Sequence, residues 1–359
     1  MQDHLEFQAL RPIKGFSTAT INQLKTKVMK FAEVIGIDVS KSTLDVWIYT
    51  NDAYKVFDNT RKGYHSLLSW VRKNTECLLD QVLFCFEHTG IYSYALSKYM
   101  SEKQFHFAII SGLEIKRSMG IRRGKDDKID ARQIALYGYR RKAEIKCSQL
   151  PEEEITQLRQ LFSLRERLVR QKAGYQATMK EQVRFLKRSD NTLLFSVPSH
   201  LIKELDKEIN RIELQMETIV EESSELNRLY KLITSITGIG SQTALYLIII
   251  TNGFLLFDDP RKLASYAGVA PFPYRSGSSV RGRTRVSKMA NKKLKSLLNS
   301  CARSAIQYDP ELRLYYERRT KAGKDKMNTL NAVRNKLLYR VFAVVKRGTP
   351  FVNTHAYAA

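Results

Sequence analysis

The sequence lacks the features expected of a secreted, membrane-spanning or zinc-binding protein. Its four cysteines and six histidines are scattered along 359 residues, and no two cysteines form a C-x-x-C pair. This distribution disfavours disulfides and structural zinc and fits reduced thiols in the cytosol. The most apolar stretch, residues 244–257, is interrupted by Thr251, Asn252 and Gly253 and is too short to cross a bilayer. Because the first residues contain no continuous apolar run, we expect no secretory signal and a cytoplasmic location.

Acidic residues are few relative to basic ones. The chain has 36 Asp and Glu residues against 60 Lys and Arg residues, which gives a formal net charge of +24. So large a charge opposes the compact state unless a polyanion neutralises it. Nucleic acid is the favoured partner, because each neutralised phosphate releases condensed counterions. The alternatives are an effect on solubility and binding to an anionic membrane surface.

The chain is longer than one hydrophobic core usually supports, so we expect more than one domain. Residues 1–32 are polar and basic and predict an N-terminal arm. Residues 33–150 predict an α/β domain with a partly parallel sheet, because short strands alternate with helices. The first two strands should form a hairpin. Strands are expected at 34–38, 44–49, 82–86 and 107–110, and a helix at 91–100.

Residues 151–232 are charged and predict a helical spacer, with Pro198 expected to separate two antiparallel helices. One series of apolar residues has the alternating three- and four-residue spacing of a coiled-coil seam. The seam consists of Ile202, Leu205, Ile209, Ile212, Met216 and Ile219. It favours self-association as a homo-oligomer (a dimer or a tetramer). The alternative is a helical hairpin that packs on its own domain.

Residues 233–359 predict a second compact domain that is helical and strongly basic. Between Arg261 and Tyr308 there are eleven Lys or Arg residues and no acidic residue, which is typical of a surface that contacts a phosphate backbone. Residues 236–241 (ITGIGS) lie between two apolar helical runs. They resemble a helix-hairpin-helix turn, whose backbone N–H groups can receive a phosphate. A tight turn between two core helices would use the same glycines.

Four acidic residues stand out by their context. Asp38 and Glu87 each end an apolar strand, so both are expected at the sheet edge where open α/β sheets bind ligands. Asp127 and Asp130 begin a helical run, and their i,i+3 spacing puts them on one helix face. Converging carboxylates suit Mg²⁺ or Mn²⁺, and two such ions can assist a phosphoryl displacement. The alternative for each is a solvated surface group or, for Asp127, a helix N-terminal charge; Asp126 is interpreted as structural.

These acidic motifs carry a family resemblance. The segments 36–41 (GIDVSK), 86–90 (FEHTG) and 127–132 (DKIDAR) resemble the DEDD set of the bridge-RNA-guided insertion-sequence transposases and the related Piv DNA invertases. The resemblance implies a RuvC-like, ribonuclease-H-like fold for the N-terminal domain. It also implies a bacterial or archaeal cell and association with the nucleoid. The metal-binding catalytic tetrad that it implies is Asp38, Glu87, Asp127 and Asp130.

A second resemblance lies in the basic C-terminal domain. The segments 263–271 (LASYAGVAP) and 274–282 (YRSGSSVRG) are similar to the family's transposase domain, in which the first serine of Ser-Gly-Ser-Ser is the nucleophile. The resemblance therefore assigns Ser276, with Ser278 and Ser279 as competitors in the same turn. Arginine forks match phosphate oxygens. We expect nucleic-acid contacts from Arg275, Arg281, Arg283, Arg285, Lys288, Lys292, Lys293 and Lys295.

The expected reaction is a transesterification in which Ser276 attacks a DNA phosphate and a hydroxyl of another strand later displaces it. No carboxylate or histidine flanks Ser276 in sequence, so we expect a composite site to which the carboxylates and their metal ions contribute. By resemblance, the partners are donor and target DNA and a structured guide RNA. Two alternatives stay open. One is a structure-selective endonuclease that uses water, with Ser276 structural; the other is a non-catalytic nucleic-acid-binding protein.

Overall fold

The computed structural model describes residues 31–118, 126–276, 280–287 and 289–353. The predicted arm therefore lies almost wholly outside the described residues, as do Ser278, Ser279 and Lys288. The chain divides into two compact units, Met1–Leu150 and Pro151–Ala359. Among the helices described, none combines the length and the apolar character needed to span a membrane.

In the described part of the first unit, five strands form one sheet in the order β3-β2-β1-β4-β5. They are β1 (Glu33–Val39), β2 (Thr43–Ile48), β3 (Tyr54–Asp58), β4 (Val82–Glu87) and β5 (His106–Ile110). β1, β2 and β3 pair antiparallel, whereas β1, β4 and β5 pair parallel. The predicted hairpin and the mixed α/β class are confirmed. The sequence pattern did not predict β3, because this edge strand buries Phe57 alone and has no apolar run.

Helices cover both faces of the sheet. They are α1 (Arg61–Asn74), α2 (Ile91–Glu102), α3 (Gly112–Ser118) and α4 (Asp127–Arg141), with a 3₁₀ turn at Leu79–Gln81. Successive side chains of a strand point to opposite faces. Ile35 and Ile37 pack in the same core cluster as residues of α1 and α2, whereas Val34 packs with Ile134 of α4. Asp38, two residues beyond Gly36 and four beyond Val34, therefore projects on the α4 side.

The second unit begins with two long helices, α5 (Glu153–Gln182) and α6 (Thr192–Glu222). Ion pairs join Arg165 to Glu213 and Lys172 to Asp206, so the two helices run antiparallel. The prediction that Pro198 separates them is wrong, because Pro198 lies inside α6. Its missing N–H removes one helical hydrogen bond near the start of α6 and does not end the helix. The chain reverses instead through residues 183–191, of which the last five are polar or charged.

Part of the predicted seam packs inside the chain. Ile212, Met216 and Ile219 of α6 share one core with Ile155 and Phe162 of α5. That core continues through the remaining helices. They are α7 (Ser224–Thr234), α8 (Ser241–Thr251), α9 (Pro260–Tyr266), α10 (Lys292–Tyr308), α11 (Pro310–Lys321) and α12 (Lys326–Arg347). The C-terminal half of the seam, Ile212 to Ile219, therefore stabilises the chain's own fold.

Two local features complete this unit. Gly238, between α7 and α8, has a φ of 94°, and a Cβ there would lie 2.7 Å from Cβ of Ala305. Close packing on α10 thus explains this glycine, as expected of a tight turn between core helices. The strands β6 (Pro271–Ser276) and β7 (Val280–Val286) form an antiparallel pair that the helical prediction for residues 233–359 did not include.

Candidate metal centre

Asp38 lies near the end of β1, on the face that α4 covers. Helix and strand approach so closely that a Cβ on Gly36 would lie 2.2 Å from the carbonyl oxygen of Ala131. It would also lie 2.3 Å from the amide nitrogen of Ala135. Heavy atoms cannot approach so closely, so only glycine permits this packing. The contact places the first turn of α4 beside Asp38.

The first turn of α4 carries both predicted helical acids. The Asp126 side chain accepts a hydrogen bond from the backbone N–H of Lys128 at 3.0 Å and caps the helix. Asp127 is exposed and Asp130 is half-buried. The positive end of the helix dipole favours negative charge at these positions.

The structure brings Asp38, Asp127 and Asp130 together. One carboxylate oxygen from each lies within 4.8 Å of the others. Carboxylate oxygens are the ligands that hard divalent cations prefer, and their mutual repulsion is relieved when a cation binds. These three residues fit a divalent metal ion.

Glu87 lies at the end of β4, next to β1 in the sheet, but outside this three-residue cluster. Its carboxylate lies against Gly112, where a Cβ would be 1.9 Å from Oε1 of Glu87. The charge of Glu87 nevertheless acts on Asp38. The structure therefore joins three of the four predicted acids and leaves the fourth nearby.

The electrostatics of the centre are concentrated on Asp38. Its pKa is raised from 3.8 to about 6, first by burial of the carboxyl group and then by the negative charges of Asp127, Asp130, Asp45 and Glu87. Both causes disfavour the charged carboxylate. A bound cation would act in the opposite sense.

Asp45 is a neighbour of the centre that the sequence analysis did not single out. It lies directly opposite Asp38 in the β1–β2 pair and is 7% exposed. Its carboxylate accepts a hydrogen bond from the Tyr54 hydroxyl, and burial together with this bond raises the pKa of Tyr54 to about 12. The signal available in the sequence was a lone acid inside the apolar run of β2, since buried carboxylates need a partner.

Ser276 is the last residue of β6, where it pairs with Val280 of β7. Among the predicted basic contacts, Arg275 and Arg281 are also partners in this ladder. Arg283 and Arg285 lie on β7. The strand pair thus gathers four arginines and Ser276 in one short element.

The predicted lysines have different surroundings. Lys292 at the start of α10 is exposed, and Lys295 is half-buried. Lys293 forms an ion pair with Glu166 of α5, and its Nζ lies 5.9 Å from the ring centre of Phe162. Lys293 therefore contributes to packing between helices, whereas Lys292 faces solvent.

Comparison with known proteins gives two family matches. Residues 35–187 match a transposase family model for DEDD transposases of the IS110 type, and residues 230–317 match the model described as the transposase IS116/IS110/IS902 family. The first match contains Asp38, Glu87, Asp127 and Asp130, and the second contains Ser276.

Individual relatives agree with these matches. The pilin gene-inverting proteins of Moraxella lacunata and Moraxella bovis are each 28% identical over 327 residues, which is 88% of this chain and 97% of each relative. An uncharacterised 43.6 kDa protein of the insertion element IS110 from Streptomyces coelicolor is 31% identical over 125 residues, 35% of this chain and 31% of the relative. Over residues 35–187 and 230–317 the chain is therefore similar to transposases of the IS116/IS110/IS902 family.

Proposed function

We propose that this protein rearranges DNA as an insertion-sequence transposase, cutting and rejoining strands by serine transesterification. The observation that carries the proposal is the cluster of Asp38, Asp127 and Asp130 in a chain with a net charge of +24. Cations attract the phosphate backbone, and clustered carboxylates hold the ions that assist phosphoryl transfer. DNA inversion, the activity in the names of the Moraxella relatives, is the same class of reaction.

A RuvC-like, ribonuclease-H-like fold of the first unit is part of the proposal. The mixed sheet supports it, because β1 lies at the centre and pairs antiparallel with β2 and parallel with β4. Asp38, next to last in β1, and Glu87, last in β4, then lie on neighbouring strands at one edge of the sheet. In open α/β sheets this edge binds ligands.

Mg²⁺ or Mn²⁺ is the proposed ion, held by Asp38, Asp127 and Asp130. Glu87 would join them if its side chain rotated away from Gly112. When bound, the ion would stabilise charge on the phosphate oxygens and favour deprotonation of the attacking hydroxyl. The raised pKa of Asp38 supports this assignment, because the charged carboxylate is disfavoured when no cation is present and would be stabilised by one.

Ser276 is the proposed nucleophile. Its Oγ loses its proton and forms a bond to a DNA phosphorus while one P–O bond of the strand breaks, and the departing strand oxygen takes up a proton to become a hydroxyl. A hydroxyl of another strand then attacks the same phosphorus and releases Ser276 with its proton. The number of phosphoester bonds is unchanged, so the strands rejoin without an external energy source. The arginines of β6 and β7 support binding of the phosphate there.

Donor and target DNA, a structured guide RNA and further copies of the chain are the proposed partners. A groove of about 610 Å³ between α5 and α6 supports a homo-oligomer, either a dimer or a tetramer. Its apolar walls are formed by Leu161, Leu164, Leu168, Leu201, Leu205 and Ile212. Apolar surfaces of this kind mark sites of association.

A strand-exchange assay on protein purified together with its cellular RNA tests the proposal. Wild-type protein trapped during the reaction should carry a DNA strand joined to the peptide that contains Ser276. The Ser276→Ala variant should bind nucleic acid but form no adduct. Efficient exchange by Ser276→Ala would overturn the proposal, whereas an adduct on Ser278 or Ser279 would change only the residue assigned.

The same assay separates the two rivals. An endonuclease that uses water would cleave DNA without any covalent adduct, and Ser276→Ala would retain that cleavage. A non-catalytic binding protein would cleave nothing, and Asp38→Ala would leave its activity unchanged.

A further inference from the structure

The first unit contains a cleft that the metal centre does not use. It lies between the end of β2, the β2–β3 turn and α4, and has a volume of about 510 Å³. Trp47 of β2, Tyr49 in the turn that follows β2, and Tyr139 of α4 form part of its wall. Neither Asp38 nor the other acids of the metal centre line it.

The wall of this cleft is aromatic. The rings of Tyr49 and Tyr139 are stacked, with their centres 3.9 Å apart and their planes inclined by 19°. Both rings are half-buried, so part of the stacked pair is accessible to solvent. Gln133, also half-buried, adds a side-chain amide that can donate and accept hydrogen bonds.

Two cations lie beside this aromatic wall, and one of them, Arg132, also lines the cleft. The guanidinium of Arg132 lies 5.3 Å from the Trp47 ring centre, and Nζ of Lys142 lies 4.0 Å from the Tyr139 ring centre. Arg132 also pairs with Asp52 at 3.7 Å, but both side chains are more than 60% exposed. An exposed pair of this kind is weak, so Arg132 can exchange Asp52 for another anion.

We propose that this cleft binds an unpaired nucleobase of a single-stranded nucleic acid. The base displaces the Lys142 ammonium from the face of Tyr139 that Tyr49 leaves open and stacks there. Gln133 contacts the edge of the base, and Arg132 and the displaced Lys142 contact the adjoining phosphates. Aromatic platforms flanked by cations recognise single strands in this way, because every base has a free π-face once it is unpaired and unstacked. A base inside a duplex has no free face, so the cleft selects single strands. The inference rests on the proposed function only in assuming that the protein handles nucleic-acid strands.

Photo-crosslinking tests the position of the base. Single-stranded DNA and RNA oligonucleotides that carry one 5-bromouracil are irradiated with the full-length protein in EDTA, and the crosslinked peptides are sequenced. Crosslinks are expected on the peptides that contain Tyr49 or Tyr139, and a duplex with the same base paired should give none there. The DNA and RNA arms identify which strand the cleft prefers. Crosslinks confined to other peptides would overturn the proposal.

Variants test the contribution of the individual side chains to affinity. Tyr139→Ala should weaken binding of the single strand roughly 5- to 150-fold, the range for losing one stacked base, whereas Tyr139→Phe retains the ring and should bind normally. Arg132→Ala should also weaken binding. Because the Arg132 side chain is 61% exposed, this substitution should leave the fold intact. Tyr175→Ala, at an exposed tyrosine of α5, is the matched control. Binding by both Tyr139→Ala and Arg132→Ala within twofold of wild type would contradict the proposal.

Two further variants separate this inference from the proposed function. Asp38→Ala and Ser276→Ala should crosslink at the cleft as the wild type does. Crosslinking without any strand exchange by the wild type would defeat the proposed function and leave the cleft assignment intact. Normal strand exchange without crosslinks at Tyr49 or Tyr139 would defeat the cleft assignment alone.

Discussion

The backbone of Ala131 in α4 lies directly on Gly36 in β1, so that a Cβ at residue 36 would be 2.2 Å from the Ala131 carbonyl oxygen. This contact sets the position of the first turn of α4, which carries Asp127 and Asp130, relative to Asp38. The geometry of the metal centre therefore depends on a residue that has no functional group.

Replacing Gly36 should damage both the fold and the metal centre. A methyl group would collide with backbone atoms that cannot rotate away, so we expect Gly36→Ala to lower the free energy of unfolding by about 1–3 kcal/mol. It should also weaken Mn²⁺ binding, measured by calorimetry, by moving α4 away from β1. Gly174→Ala in α5 is the control, because nothing lies within 4 Å of its added Cβ. Unchanged Mn²⁺ affinity in Gly36→Ala would show that the contact does not position the acids.

Removing one carboxylate should abolish cleavage while preserving binding. Asp38→Ala and Asp130→Ala each delete a proposed metal ligand, so neither should cut DNA in Mg²⁺, whereas their affinity for DNA in EDTA should match that of the wild type. Asp126→Ser is the matched control, because serine can keep the cap on α4. Cleavage by Asp38→Ala at the wild-type rate would refute the assignment.

Asp38 should give the metal-free protein a stability that falls as the pH rises. Its pKa is raised from 3.8 to about 6 on folding, so the folded protein binds this proton more tightly than the unfolded chain does. The stabilisation is complete below the unfolded pKa and is lost as the pH rises through about 6. In EDTA, the Tm of the wild type should therefore fall relative to that of Asp38→Asn over this range. A constant difference in Tm between the two proteins would contradict the prediction.

A divalent ion competes with the same proton. The affinity of the wild type for Mn²⁺ should therefore rise as the pH increases through about 6, because deprotonated Asp38 is the ligand. Titrations at a series of pH values measure this directly, and an affinity independent of pH would exclude Asp38 as a ligand.

The groove between α5 and α6 should mediate association of the chains. Leu205→Glu places a carboxylate in that groove and should dissociate the oligomer, because an unpaired buried charge is costly. Ile212 also lines the groove but belongs to the chain's own core, so a charge there would also destabilise the fold, whereas Leu205 lies outside that core. Leu214→Glu, at a position on α6 that is 63% exposed, is the control. Sedimentation measures the oligomeric mass, and an unchanged mass for Leu205→Glu would show that the groove does not mediate association between chains.

Much of the first unit follows from local patterns in the sequence. Apolar runs between polar turns located four of the five described strands, and the i,i+3 spacing of Asp127 and Asp130 placed them on one helix face. The strand β3 shows no such run because it buries only Phe57. The long helices reverse at residues 183–191, where Val183, Phe185 and Leu186 interrupt the polar residues and weaken the turn signal relative to Pro198. Local patterns report burial and turns well only where the chain has a strong contrast between apolar and polar residues.

The sequence by itself determined which residues carry charge, the alternation of strands and helices, and the acids near the ends of β1 and β4. Only the tertiary structure decided which acids meet, because their distances depend on how closely α4 packs on β1 at Gly36. It also placed Asp45 opposite Asp38 and stacked Tyr49 on Tyr139, which are 90 residues apart in sequence. Strand register and helix packing are long-range properties, so no local pattern of residues specifies them.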